Sequence, residues 1–149
     1  MTDRVKIFFQ MQQDEDGYPP ITVESVWAKP SAKVDEYVLE NIPFFSREAT
    51  FEDTVKAREE DGQLWFDGLI THSSNSLVRV VFHDRECEPR VKQELAKLGC
   101  ELEYFEQYNI LAVSIPGDIH LSDVQAYLAH ESDAGNIGYE EPILRQPAS

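Results

Sequence analysis

Ser76-Leu77-Val78-Arg79-Val80-Val81-Phe82-His83-Asp84 is a β-branched and aromatic run bounded by polar residues, the composition of a strand with at least one buried face. The chain changes character at this stretch. Everything downstream reads helix, strand, strand, helix, strand, whereas everything upstream reads as strands alone. Downstream, Pro89 falls in the first turn of a helix, where its missing N–H does little harm, and Gly99 falls just past the end. Val91, Leu95 and Leu98 form one apolar stripe on that helix. Residues 101–105 and 110–115 read as strands, the second with Leu111, Val113 and Ile115 on one face. Pro116-Gly117-Asp118 stops it, Leu121, Val124 and Leu128 mark a second helix, and residues 137–144 a last strand. This β-α-β-β-α-β order is the ferredoxin-like pattern, with both helices on one face of an antiparallel sheet.

Upstream, Val5, Ile7, Phe9 and Met11 alternate with other residues as in a half-buried strand. Asp14-Glu15-Asp16-Gly17-Tyr18-Pro19-Pro20 breaks it with turn chemistry and non-donating prolines. Ile21, Val23 and Trp27 predict the inward face of a second strand, residues 35–42 a third and residues 51–58 a fourth. Glu59-Glu60-Asp61-Gly62 is an Asp-Gly hairpin turn, followed by a fifth strand from Gln63 to Thr71. Five short strands with regular turns predict a small antiparallel barrel or curled sheet. Trp27 and Trp65 are expected in its core, with Phe44 and Phe45 closing one end. The expected fold class is therefore α+β. A five-stranded half spans residues 1–72, a ferredoxin-like half spans 76–144, and 145–149 form a frayed tail. Only Ser73 to Ser76 separate the halves, too few residues for independent tumbling, so a shared interface is expected.

Charge bounds the function. The 149 residues carry 28 acids against 13 bases, a formal net charge of −15. Nucleic-acid backbones and anionic membranes are themselves polyanions, so neither is an expected partner; a basic protein is. The start Met1-Thr2-Asp3-Arg4 has no long apolar run, and no stretch is long and apolar enough to span a bilayer. Cys87 and Cys100 bracket a helix that would hold them about 20 Å apart, beyond disulfide reach. Free thiols point to a cytoplasmic protein.

Catalytic and metal signatures are missing from the pattern. His72, His83, His120 and His130 have no helical zinc-pair spacing, Asp14-Glu15-Asp16-Gly17 lacks the later ligands of a calcium loop, and no Gly-rich phosphate loop occurs. No cofactor, metal or catalytic residue is expected. His83-Asp84 is the one pair of chemical interest, and its plainer reading is an aspartate near the start of the next helix. The expected contact residues for a basic partner are Asp14, Glu15, Asp16 and Tyr18 in the first turn, Asp35 and Glu36 on the third strand, and Glu59, Glu60 and Asp61 in the hairpin. In a simple meander the two turns lie at opposite ends, where one compact partner would not touch both. Tyr18, an interface-type aromatic, favours the first turn.

Three motifs carry a resemblance: Asp14-Glu15-Asp16-Gly17-Tyr18-Pro19-Pro20, Glu24-Ser25-Val26-Trp27-Ala28 and Asn41-Ile42-Pro43-Phe44-Phe45-Ser46-Arg47. Together with the Leu98-Gly99-Cys100 step, they make the chain resemble a bacterial family of short stand-alone proteins known as a domain of unknown function. Where that family has a Ser-Gly-His-Ser-Thr-like run, this chain has Ser73-Ser74-Asn75-Ser76-Leu77, so nothing attached to that histidine or glycine transfers. Small acidic bacterial proteins of this kind resemble immunity proteins encoded beside secreted toxins. By that analogy the chain is expected to occlude a basic toxin domain that handles nucleic acid or nucleotides. The alternative is a sensing module with a small-molecule pocket at the junction of its halves, and the least supported is an enzyme using His83 and Asp84.

Overall fold

The computed structural model describes residues 4–146, which contain nine strands and two short α-helices. Contacts divide the chain into two compact units, Met1–Ser73 and Ser74–Ser149, each with its own sheet, and the fold is mostly β. No described helix is long and apolar enough to cross a membrane.

The first unit holds β1 (Val5–Gln10), β2 (Val23–Pro30), β3 (Glu36–Leu39), β4 (Thr54–Glu60) and β5 (Gln63–Thr71). Neighbours in sequence pair antiparallel. The join between β5 and β1 departs from the antiparallel expectation. Five alternating strands are an odd number, so first and last run the same way, and β5 meets β1 in parallel. That pairing covers only Ile7–Leu64 and Phe8–Trp65, although both strands run on beyond it. Ile7, Phe9, Val26, Ala28, Leu39 and Val55 fill the interior, and Phe9 stacks on Phe66 at 4.7 Å.

β2 corrects the expected alternation by one residue. Glu24, Val26 and Ala28 are buried, while Val23 and Trp27 are exposed. A one-residue shift in reading exchanges the two faces of a strand, and the buried carboxylate at Glu24 disguised the inward set. Trp27 is 37% exposed and lies under the Arg4 guanidinium at 4.7 Å and the Lys6 ammonium at 5.0 Å. Trp65 is half-buried against Phe8 at 5.7 Å, opposite in sense to the core-packed Leu64 and Phe66. Neither tryptophan belongs to the core. Of the phenylalanine pair, Phe45 is buried and Phe44 is half-buried. β4 starts at Thr54, three residues after its expected start, because Asp53 organises a turn instead. Its buried carboxylate accepts from the amides of Thr50 at 2.9 Å and Ser73 at 2.8 Å.

The second unit holds β6 (Ser76–Phe82), α1 (Glu88–Lys97), β7 (Glu101–Phe105), β8 (Ile110–Ile115), α2 (Leu121–Asp133) and β9 (Ile137–Ile143). The strands lie in the order β7-β8-β6-β9, every neighbour antiparallel. Val91 and Leu95 of α1 and Leu121, Val124 and Leu128 of α2 join one cluster with Val78, Val80, Leu111 and Val113, so both helices cover the same sheet face. Gly99 sits at φ 100°, the left-handed position that ends α1 without a Cβ penalty. Arg145 and Gln146, expected in a frayed tail, are held instead: the Arg145 amide donates to Ser76 Oγ, and Gln146 Nε2 donates to the carbonyls of Ile115 and Pro116. Residues 147–149 of that expected tail lie outside the described residues.

One polar cluster ties the two helices together. The Glu131 side chain, 3% exposed, accepts two hydrogen bonds from the Arg90 guanidinium (2.8 and 3.1 Å), one from Tyr127 Oη (2.6 Å) and one from Asn136 Nδ2 (2.9 Å). The Arg90 bonds, reinforced by those from Tyr127 and Asn136, pull the carboxyl down to about 2. Because the folded value lies below the unfolded one, this contribution is present above about pH 4.5 and is lost as pH falls toward 2.

Two outcomes follow from this packing. Phe9→Ala should cost about 3–5 kcal/mol in urea unfolding, whereas Trp27→Ala should cost less than about 1 kcal/mol, its ring being outside the core. Glu131→Gln should destabilise the protein at pH 7 by on the order of 2–3 kcal/mol. The gap to wild type should close as unfolding is repeated from pH 5 to pH 2; a gap constant with pH would show that the carboxylate charge is not what these bonds hold.

Candidate functional site

The three sequence motifs meet at one end of the five-stranded sheet, and a buried carboxylate joins two of them. Glu24 points inward from β2, 7% exposed, and its oxygens accept from the backbone amides of Phe44 (2.5 Å), Phe45 (3.1 Å) and Ser46 (3.0 Å). The segment between β3 and β4 has no ladder to satisfy those N–H groups, and buried amides need a partner. An anion accepting three of them is a stronger tie than any neutral acceptor. Asn41 Oδ1 adds a second tie by accepting from the Trp27 amide at 3.1 Å.

The first acidic turn is attached to this platform. Asp14 Oδ1 accepts from the amides of Asp16 and Tyr18, both at 2.9 Å, and the Asp14 amide donates to the Tyr18 carbonyl at 2.7 Å. This is the side-chain turn that aspartate forms two residues ahead of itself. It leaves Tyr18 43% exposed, its ring in a T-shaped contact with Phe45 at 6.3 Å between centroids. A cleft of about 540 Å³ lies alongside. Asp14, Tyr18 and Phe45 line it, with Arg47, Glu48 and Gln10. Glu15 and Asp16 are exposed in the same turn but do not line the cleft.

The second acidic turn borders a different cleft. Asp61 (φ 54°) and Gly62 (φ 81°) both take positive φ, as a two-residue hairpin between right-twisted strands requires. Beside them a cleft of about 370 Å³ is lined by Glu60, Asp61, Gln63, Arg58 and Trp65. Arg58 reaches Glu60 and Asp67, each at 3.7 Å. Glu59, exposed at the end of β4, does not line it. The two turns are at opposite ends of the strands, as the meander requires, yet Gln10 lines both clefts. Asp35 and Glu36 stand apart from both, in a shallow depression of about 280 Å³ beside the turn between β2 and β3.

Of the pair His83 and Asp84, the aspartate has a structural role. The Asp84 carboxylate accepts from the Glu86 amide at 3.0 Å and caps the 3-10 turn Arg85–Cys87. Cys87 and Cys100 are free and buried, and burial raises both thiols, Cys100 to about 12. Among the described residues no three His, Cys, Asp or Glu side chains converge as metal ligands.

Sequence reasoning missed Glu24, Gln10, Glu48 and the outward Trp65. Only Glu24 left a signal: it shares parity with Val26 and Ala28, so reading those two small apolar residues as the inward face would have placed it.

The profile of a domain of unknown function, DUF4265, matches residues 24–139, and the chain belongs to that family. Its fold is similar to that of a crystal structure titled as a hypothetical protein from Neisseria gonorrhoeae. The two share 20% identity at a TM-score of 0.72, over 99% of this chain and 98% of the other. No protein with a curated description matches the chain.

Asp14→Asn keeps an oxygen for the turn, whereas Asp14→Ala removes it. In urea unfolding Asn should stay within about 0.5 kcal/mol of wild type and Ala should lose about 1 kcal/mol. Equal losses in the two would mean that charge, and not the accepted hydrogen bonds, holds this turn.

Proposed function

We propose that this chain is an acidic interaction protein of the cytoplasm, an immunity-like inhibitor that occludes a basic toxin domain handling nucleic acid or nucleotides. In the same reading the first unit is a small β-barrel. The second is ferredoxin-like, supported by its β-α-β-β-α-β order and the strand order β7-β8-β6-β9. The observation that carries the reading is Tyr18, an exposed aromatic fixed by its own backbone bonds and by Phe45 at the lip of a cleft that also bears Asp14 and Glu48. An aromatic anchor ordered before binding loses little entropy on contact. Glu15 and Asp16 stand exposed beside it, and a net charge of −15 supplies a field that speeds encounter with a cationic surface. Occlusion follows from chemistry: carboxylates take the place of the phosphates that the cationic cleft of the partner is built to hold.

The test is association with a basic, nucleic-acid-handling toxin domain, sought first among the proteins encoded beside the gene, followed by surface binding at low and high salt. Replacing Asp14, Glu15 and Asp16 by Asn, Gln and Asn should slow association several-fold and flatten its salt dependence. Tyr18→Ala should instead speed dissociation. Rates unaltered in both variants would remove this turn from the contact.

A further inference from the structure

The join between β1 and β5 is short, and two clefts share a lining residue just past its end. Parallel pairing stops at Phe8–Trp65, while β1 continues to Gln10 and β5 to Thr71. The cleft at the hairpin turn and the cleft at the first turn both reach Gln10, one running from Glu60 and Asp61 over Trp65, the other past Asp14 and Glu48 under Tyr18. The clefts therefore adjoin at the point where the strands cease to pair. We infer that they act as one groove that takes an extended, cationic polypeptide segment of the partner, crossing from the paired stretch at Trp65 onto the unpaired end of β1 with Gln10 beneath its middle. This rests on the reading of the chain as a binder of basic partners and names what part of such a partner is bound.

Charge and shape both favour that occupant. Four carboxylates line the two clefts, those of Asp14, Glu48, Glu60 and Asp61, against the guanidiniums of Arg47 and Arg58. Arg58 lies between Glu60 and Asp67, so it offsets part of the Glu60 charge as well as its own, and the two linings keep an excess of acid. The carboxylates at Asp14 and Glu48 form no ion pair among the described residues. Each cleft adds an aromatic wall, Tyr18 in one and Trp65 in the other, onto which the apolar stem and charged head of lysine or arginine pack favourably. Gln63 lies level with Lys6 by the register of Ile7 on Leu64. At a rise of about 3.3 Å per residue, the stretch of β1 from there to Gln10 spans roughly 13 Å, so a segment of about eight extended residues, roughly 26 Å long, covers it and enters both clefts. An extended chain follows the direction in which the two clefts succeed one another, past Gln10. Alternate side chains of such a segment, standing on one face, would meet the two acidic ends in turn.

The experiment uses the full chain, labelled with ¹⁵N, and synthetic capped octapeptides: (Arg-Gly)₄, (Ser-Gly)₄ and (Glu-Gly)₄, with the tetrapeptide (Arg-Gly)₂. The arginine octapeptide should shift amide resonances in both clefts, residues 10–18 with 45–48 and residues 58–66, and should saturate them with one affinity. It should bind at least ten-fold more tightly than the tetrapeptide and show no comparable effect from the serine or glutamate peptides. Asp14→Asn with Glu48→Gln, and separately Glu60→Gln with Asp61→Asn, should each weaken it several-fold while leaving the rest of the spectrum in place. Shifts confined to one cleft, two clefts saturating independently, or a tetrapeptide equal to the octapeptide would overturn the groove and leave the acidic-binder reading intact. Arginine and serine octapeptides binding alike would overturn both.

Discussion

A single buried carboxylate decides the local shape of the first unit. Glu24 accepts three consecutive amides from the segment between β3 and β4, and that segment has no sheet of its own to satisfy them. Burying a charge is unfavourable unless hydrogen bonds replace its water, so the loop and the carboxylate require each other. Once the loop is fixed, Phe45 is fixed beneath Tyr18, and the first turn acquires its floor. An acid at the start of an otherwise apolar strand face thus shapes the surface that an aromatic presents.

The second unit uses a carboxylate differently. Glu131 accepts from groups on α1, on its own helix and on the turn before β9, so it locks elements that hydrophobic packing has already brought together. Glu24 creates a conformation, whereas Glu131 selects a register. Both are nearly buried, and both would be read from sequence as ordinary surface acids. The Glu24 donors lie 20 or more residues away in the chain, and of the Glu131 donors Arg90 lies 41 away, whereas Tyr127 and Asn136 are near neighbours.

Legibility follows from how local each cause is. The downstream elements were readable nearly residue by residue, because Pro89, Gly99 and Pro116 punctuate them and their apolar stripes are uninterrupted. β5 was readable because the Asp61-Gly62 turn fixes where it begins. β2 was misread because its inward face contains an acid and its outward face a tryptophan, the reverse of what hydropathy expects. Trp27 is tolerable outside because Arg4 and Lys6 cover its ring, a relation between strands that no single segment reveals. Of the site, Asp14 and Tyr18 were legible as turn and aromatic, but Gln10, Glu48 and the shared cleft lining depend on contacts between segments distant in the chain. The parallel join was implicit in the strand count alone, since the first and last of five alternating strands run the same way. Its shortness was not.

The distribution of sulfur has a practical meaning. Both cysteines belong to the second unit and are buried there with raised thiol values, and the first unit has none. A thiol reagent reacts with the thiolate and needs access to it, so the folded second unit is a poor target. The chain thereby carries its own label for reporting which half has opened: modification measures exposure of the helical half while leaving the β half silent. Paired with a signal from Trp27 and Trp65, which lie only in the first unit, it lets the loosening of each unit be followed separately in one unmodified chain.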